Sequence, residues 1–220
     1  MPESADRAEL LTALTTEHFT LQGARSQTVS ESASRATLYV MAVSSALVGL
    51  GFIGQVSEVG DVFDIFALTV LPTLYGLGLF TFVRLVESSV EDVLYGRAIN
   101  RIRNYYLELA GDQARLFVLS GHDDPIGVLA NMGLSPTRWR LYFTTATMIA
   151  VINSVVGGAA VALALGVAAD ASLGLSCGVG GAVAIASLLL MRRAEYRMHV
   201  AGRARTETLF PSPPIAHDGR

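Results

Sequence analysis

Residues 62–109 read VFDIFALTVLPTLYGLGLFTFVRLVESSVEDVLYGRAINRIRNYYLEL, and the change of character at Arg84 inside this stretch decides the fold. Up to Val83 the run is apolar apart from Asp64, and as a helix it is long enough to cross about 30 Å of hydrocarbon. Beyond Arg84 charges recur, yet no proline interrupts the pattern, so the helix is predicted to continue toward Leu109. In that continuation Leu94, Ala98, Ile102, Tyr105 and Leu109 share an apolar face with Tyr95, Ile99 and Tyr106. Arg97, Arg101, Asn104 and Glu108 form the opposing polar stripe. An amphipathic helix of this kind needs a partner for its apolar face. The candidates are the N-terminal helix, the run Leu116-Phe117-Val118-Leu119, or a neighbouring subunit.

Working outward, three further runs are comparably apolar: Leu38 to Val56, Leu141 to about Ala168, and Ala171 to Met191. The 220-residue chain is 51% hydrophobic with a mean hydropathy of +0.46, which excludes an ordinary soluble domain. Barrel strands would alternate polar and apolar over about 10 residues, and these runs do not. The expected fold is all-α and polytopic, with four transmembrane helices in two hairpins and a helical cytoplasmic insert between spans 2 and 3. The domains follow as 1–37 (N-terminal helices), 38–83 (hairpin 1), 84–140 (insert), 141–191 (hairpin 2) and 192–220 (basic helix end and tail). Glu3, Asp6, Glu9, Glu17 and Glu31 precede the first apolar run, so no cleaved signal peptide is expected. Cys177, the single cysteine, is expected to serve as a small packing residue.

Charge orients the chain. All sixteen basic residues are arginine: three precede Leu38, seven lie from Arg84 to Arg140, and six follow Met191. The connection Ser57 to Asp61 and the turn around Asp170 carry only the acids Glu58, Asp61 and Asp170. Cationic flanks stay on the cytoplasmic side during insertion. Both termini and the insert are therefore expected in the cytoplasm, in a plasma membrane of the bacterial inner-membrane type. Ser135-Pro136 reads as the start of the third span, with Arg138, Trp139, Arg140 and Tyr142 at headgroup depth. Thr137-Arg138 with Leu141-Tyr142 matches Ser34-Arg35 with Leu38-Tyr39. Either interfacial anchoring or a parallel repeat accounts for the match, and anchoring is the simpler.

At the N-terminus, residues to about Ala8 are expected to lack structure. Glu9 to Leu21 forms a short amphipathic helix carrying Leu10, Leu11, Leu14, Phe19 and an interfacial His18. Between Gly23 and Leu38, Ser26, Ser30, Ala33 and Thr37 share a small polar face, with Glu31 and Arg35 paired at i, i+4. Within the spans, Ser45, Gly49 and Gly51, and again Gly174, Gly178 and Ala182, mark faces suited to close helix contact. Pro72 is expected to kink the second span. Asn153 lies deep in the third span, where an unpaired amide is costly. It reads as interhelical glue or, secondly, as a permeation residue. Asp64 with Asp61 and Glu58 forms a shallow acidic rim, which repeated by symmetry would attract cations to a pore mouth.

In the insert, Gly111 is expected to end the long helix. His122-Asp123-Asp124-Pro125 admits a metal reading, but capping is favoured: Asp124 as N-cap and Pro125 at the first position of a helix from Ile126 to about Met132, closed by Gly133. Arg97, Arg101 and Tyr105 are the candidate ligand-binding residues, for an anionic molecule held by charge and stacking. Lipid phosphates or acids of a neighbouring helix would suit the same stripe, and no glycine-rich phosphate loop accompanies it. Past Met191 the fourth helix continues to Arg197, and Pro211, Pro213 and Pro214 make the end a flexible tail.

The spans lack the convergent ionisable groups of membrane catalysis, so no enzyme activity, cofactor or metal is expected. The favoured function is an oligomeric channel or pore-type effector responding to a cytoplasmic signal. The alternative is an accessory or scaffold protein that binds partners through its helical faces. Expected partners are the lipid bilayer, further copies of the chain, and a cytoplasmic anionic ligand or protein, but no nucleic acid polymer.

Overall fold

The computed structural model describes residues 4–56, 60–133, 144–204 and 206–213. Among the described residues five α-helices follow in order: α1 (Ser4–Val56), α2 (Asp61–Ala110), α3 (Pro125–Asn131), α4 (Thr145–Ala169) and α5 (Leu173–Ala204), with a 3-10 turn at Gly111–Leu116. No strand occurs among the described residues. The helices α1, α2, α4 and α5 each contain a stretch long and apolar enough to cross a membrane, as an integral membrane protein requires. Glu58 and the Ser135 to Tyr142 boundary lie outside the described residues.

Helices α1, α2 and α5 are each longer than their apolar runs. Helix α1 is continuous for 53 residues, where a short N-terminal helix and a separate juxtamembrane segment were expected. One glycine in a helix costs only about 1 kcal/mol relative to alanine, and Gly23 is the only glycine of α1 before Gly49. The hydroxyls of Thr12, Thr15, Thr16, Thr20, Thr28 and Thr37 donate back to the carbonyls four residues earlier, so these side chains offer the backbone no competing conformation. Helix α2 continues through Arg84 as expected and stops at Gly111, whose φ of +51° lies in the left-handed region.

The chain divides into two compact units, one comprising Glu31–Glu87 and Leu141–Val200 and the other Met1–Ser30, Ser88–Arg140 and Ala201–Arg220. In the first, the spanning unit, Tyr39, Val43, Ala67, Leu71, Leu74, Phe82, Ile149, Ala150 and Met191 belong to one core. Helices α4 and α5 cross at a glycine pair: a Cβ on Gly158 would lie 2.5 Å from the Gly180 carbonyl oxygen, and one on Gly180 2.6 Å from that of Gly158. Ser176, Gly180, Ser187 and Met191 are the buried side of α5. The Gly174 and Gly178 row picked out in the sequence has nothing within 4 Å, and Cys177 beside it is exposed rather than packed. Small residues recur on more than one face of α5, and the intrachain contact uses Gly180.

Some polar groups in this unit are matched across helices, while among the described residues Asn153 Nδ2 and Ser176 Oγ are buried without a hydrogen-bond partner. The Tyr39 hydroxyl donates to Asn153 Oδ1 at 2.9 Å, tying α1 to α4, and Gly78 of α2 makes room for the pair. Tyr75 and Ser187 share a hydrogen bond of 2.9 Å between α2 and α5. Near the start of α4, Arg192 bridges Glu195 at 2.7 Å and donates to Thr147, while the N-cap Thr144 donates to Glu195.

The second unit, which contains most of the insert, packs α1 on α2 through the Arg25–Asp92 ion pair at 2.7 Å and through His18 against the Tyr106 ring. Gly96 admits Val128 of α3, and Gly202 of α5 admits Val90. The buried side of α2 here is Gly96, Arg97, Ile99, Asn100 and Ile102, whereas Leu94 and Leu109 are exposed. The expected arrangement, apolar face covered and polar stripe solvated, is partly reversed.

Overpacking a close helix contact costs about 1–3 kcal/mol. Gly158→Leu or Gly180→Leu is expected to lower the melting temperature of the detergent-solubilised chain by several degrees. Gly178→Leu, which meets nothing within its own chain, should leave the melting temperature of the dissociated monomer within about a degree of wild type, as read by circular dichroism.

Candidate functional site

The site is built on the polar stripe of α2. One helical turn places Arg97 and Arg101 above one another, with Asn100 and Asn104 alongside. Across from them the chain leaves the 3-10 turn and returns as the loop 117–124, which ends in α3. Gly121 lies against the α2 backbone, since a Cβ there would come within 2.8 Å of Asn104 Cα. Loop carbonyls meet α2 donors: Asn100 Nδ2 reaches the His122 carbonyl at 2.7 Å, and Arg97 Nε reaches that of Asp123 at 2.7 Å. Asn131 of α3 both donates to the Ser120 carbonyl and accepts from its N–H, each at 2.9 Å. Buried arginine and asparagine are stable here because each faces a polar partner rather than hydrocarbon.

At the centre is Asp123, with no exposed surface. Its carboxylate accepts from Arg101 Nε at 2.6 Å and from the backbone N–H groups of Leu209 at 3.1 Å and Phe210 at 2.8 Å. The Asp123 N–H donates to the Phe210 carbonyl at 3.0 Å. Asp124 caps α3 by accepting from the Gly127 N–H at 2.8 Å, with Pro125 at the first helical position. It also accepts from the Ser212 hydroxyl at 2.7 Å and the Ser212 N–H at 3.2 Å. Arg97 donates to Thr208 Oγ1 at 3.0 Å, and Arg101 to the Glu207 carbonyl. Residues 207–212 are thus laid along the site as a strap that bends at Leu209 and Phe210, where a free tail was expected.

Burial alone would raise the pKa of both carboxyls. For Asp123 the Phe210 amide, the Arg101 side chain and the Leu209 amide outweigh it, and for Asp124 the Ser212 and Gly127 donors do. Both carboxyls are held below the ordinary value of 3.8. Elsewhere in the unit, burial and then the nearby Arg103 lower the pKa of His18.

Of the residues picked out in the sequence, the structure brings Arg97 and Arg101 together on Asp123, and Arg97 is only 3% exposed. Tyr105 sits one turn on, half-buried, with its ring 6.5 Å from that of Tyr106. The Asp124 cap and the Gly133 stop, at a φ of +68°, are as expected. Asp123, not singled out in the capping reading of His122 to Pro125, is the hub of the strap. Thr208 and Ser212 were missed because their proline-rich surroundings signal disorder. In the spanning unit Asn153 is fully buried within its own chain. Asp64 is half-buried near the start of α2 and Asp61 is exposed. No protein-family model, curated protein or solved structure matches the chain, so the geometry alone carries the functional reading.

A folded-state pKa below 3.8 means the carboxylates stabilise the strap above that value, and the contribution fades as pH falls through the lower folded value. The anisotropy of a dye on the C-terminal residue is expected to be flat from about pH 7 to about pH 5 and to drop below 3.8. Asp123→Asn leaves Arg101 without its counter-charge. Discounted for the partial exposure of Arg101, the cost should be about 2 kcal/mol, measured as earlier urea release of the tail.

Proposed function

We propose that the chain is a non-catalytic membrane protein that assembles into an oligomeric channel or pore-type effector, with the insert and both termini on the cytoplasmic side. The observation that carries this reading is where the spanning unit is filled and where it is open. Its interior is occupied by side chains, among them Tyr39, Phe82, Ile149 and Asn153. Its outer faces keep Leu47, Val48, Phe52, Ile185, Leu189 and Leu190 uncovered, and Gly51, Gly174, Gly178 and Gly181 have open space beside them. A conducting path then forms between copies, with Asp61 and Asp64 repeated around one mouth. Asn153 serves as the tie to Tyr39 in this arrangement. Arg97 and Arg101 are the proposed point at which an anionic cytoplasmic signal acts, and the unbroken α1 and α2 carry its effect to the spans.

The accessory reading has its own support in the exposed run Leu116 to Leu119, where Val118 is 95% exposed, because large apolar side chains left bare outside a bilayer mark partner surfaces. Particle imaging of the detergent-solubilised chain separates the two. A closed ring is expected, and a monomer would reject the pore. In liposomes Asp64→Asn should reduce cation flux at least twofold. Asn153→Leu should leave flux unchanged while removing an interhelical hydrogen bond valued at about 0.6 kcal/mol. Flux indifferent to Asp64→Asn would reject the proposed mouth.

A further inference from the structure

We propose that the groove formed by Arg97, Arg101, Asp123 and Asp124 is a recognition site for a short bent peptide, which the chain's own segment 207–212 occupies as a displaceable self-ligand.

The argument begins with what holds the groove together when the strap is set aside. Arg97 still donates to the Asp123 carbonyl, Asn100 to that of His122, and Asn131 still clasps Ser120 from both sides. Gly121 remains against α2, and Gly127 remains packed on the His122 carbonyl. Arg101 keeps its ion pair with Asp123, and Asp124 keeps its cap on Gly127. None of these contacts uses a strap atom, and a site that keeps such contacts without its ligand binds at a lower ordering cost.

The manner of recognition points to a ligand class. Asp123 accepts two consecutive main-chain N–H groups, Leu209 and Phe210, and its own N–H meets the Phe210 carbonyl. Arg101 takes the Glu207 carbonyl. These contacts read backbone, with two successive amides at a bend converging on one carboxylate. Selectivity comes from two hydroxyls four residues apart, Thr208 on Arg97 and Ser212 on Asp124. The ligand is therefore a short segment that bends at its centre, with a hydroxyl residue at each end and no proline at the two amide positions between.

Displaceability follows from what the strap does not bury. Thr206 to Pro213 are half-buried or exposed throughout, and Leu209 is 54% exposed. The strap is held by polar groups that water or a competing peptide can satisfy. On its departure the groove presents guanidinium N–H groups beside carboxylate oxygens, which suits a main chain that offers both donors and acceptors.

The test uses the full-length chain in detergent with its own strap disabled by Leu209→Pro and Ser212→Asp. The first removes an amide read by Asp123, and the second sets a charge against Asp124, while both leave the groove untouched. The probe is a fluorescein-labelled synthetic peptide of residues 206–213. Saturable binding to the disabled chain is expected, with at least tenfold weaker apparent affinity for wild type, whose strap competes. A peptide carrying proline at the Leu209 position should bind at least tenfold more weakly to the disabled chain. Absence of saturable binding, or equal binding to both chains, overturns the proposal. Should the variant misfold, hydrogen exchange on wild type decides: the Leu209 and Phe210 amides should exchange through local opening, well before those around Ile102. Equal protection would make the strap an inseparable part of the fold.

Discussion

A carboxylate with no exposed surface has to be matched by donors from every side, and the insert-bearing unit is arranged to supply them to Asp123. Arg101 arrives from α2, two amides arrive from the C-terminal strap, and the residue's own backbone is fastened by Arg97 and Phe210. The requirement accounts for the local anatomy. Gly121 is needed because the loop must come close enough for its carbonyls to meet α2 donors. Asn100 and Asn131 fill the remaining donor and acceptor positions around Ser120 and His122. Charge pairing with this geometry fixes an arrangement more than it adds stability, which explains why polar residues occupy positions an apolar core would also suit.

The spanning unit follows the same rule only in part, since among the described residues Asn153 Nδ2 and Ser176 Oγ are buried without a partner. Lipid offers no donors, so Asn153 takes the Tyr39 hydroxyl and Tyr75 takes Ser187. Helix contact is then set by how closely backbones approach, and the Gly158–Gly180 crossing is the tightest expression of it between α4 and α5.

How much of this was legible in the letters depends on the range of the interaction. Apolar run length identified four membrane-compatible helices, and short-range stereochemistry placed the α2 stop at Gly111, the Asp124 cap and the Gly133 turn. Periodicity misjudged α2 beyond Arg84, because it assumes that polar faces meet water. Here the face holding Arg97 and Asn100 meets loop carbonyls instead. The Asp123 hub joins residues more than eighty positions apart, and nothing local in Thr208, Leu209 or Ser212 announces that pairing. On α5 the small-residue spacing was visible, but which of its rows faces α4 depends on helix rotation, which composition does not encode.

Asp124 holds two things with one side chain: the first turn of α3 and the end of the strap. Two equilibria that share a carboxylate are thermodynamically coupled, and the coupling is reciprocal. Whatever frays the first turn of α3 loosens the C-terminal segment, and whatever lifts that segment alters the fraying of α3 by the same factor. A seven-residue helix too short to persist alone in water thereby becomes a reporter of whether residues 207–212 are in place.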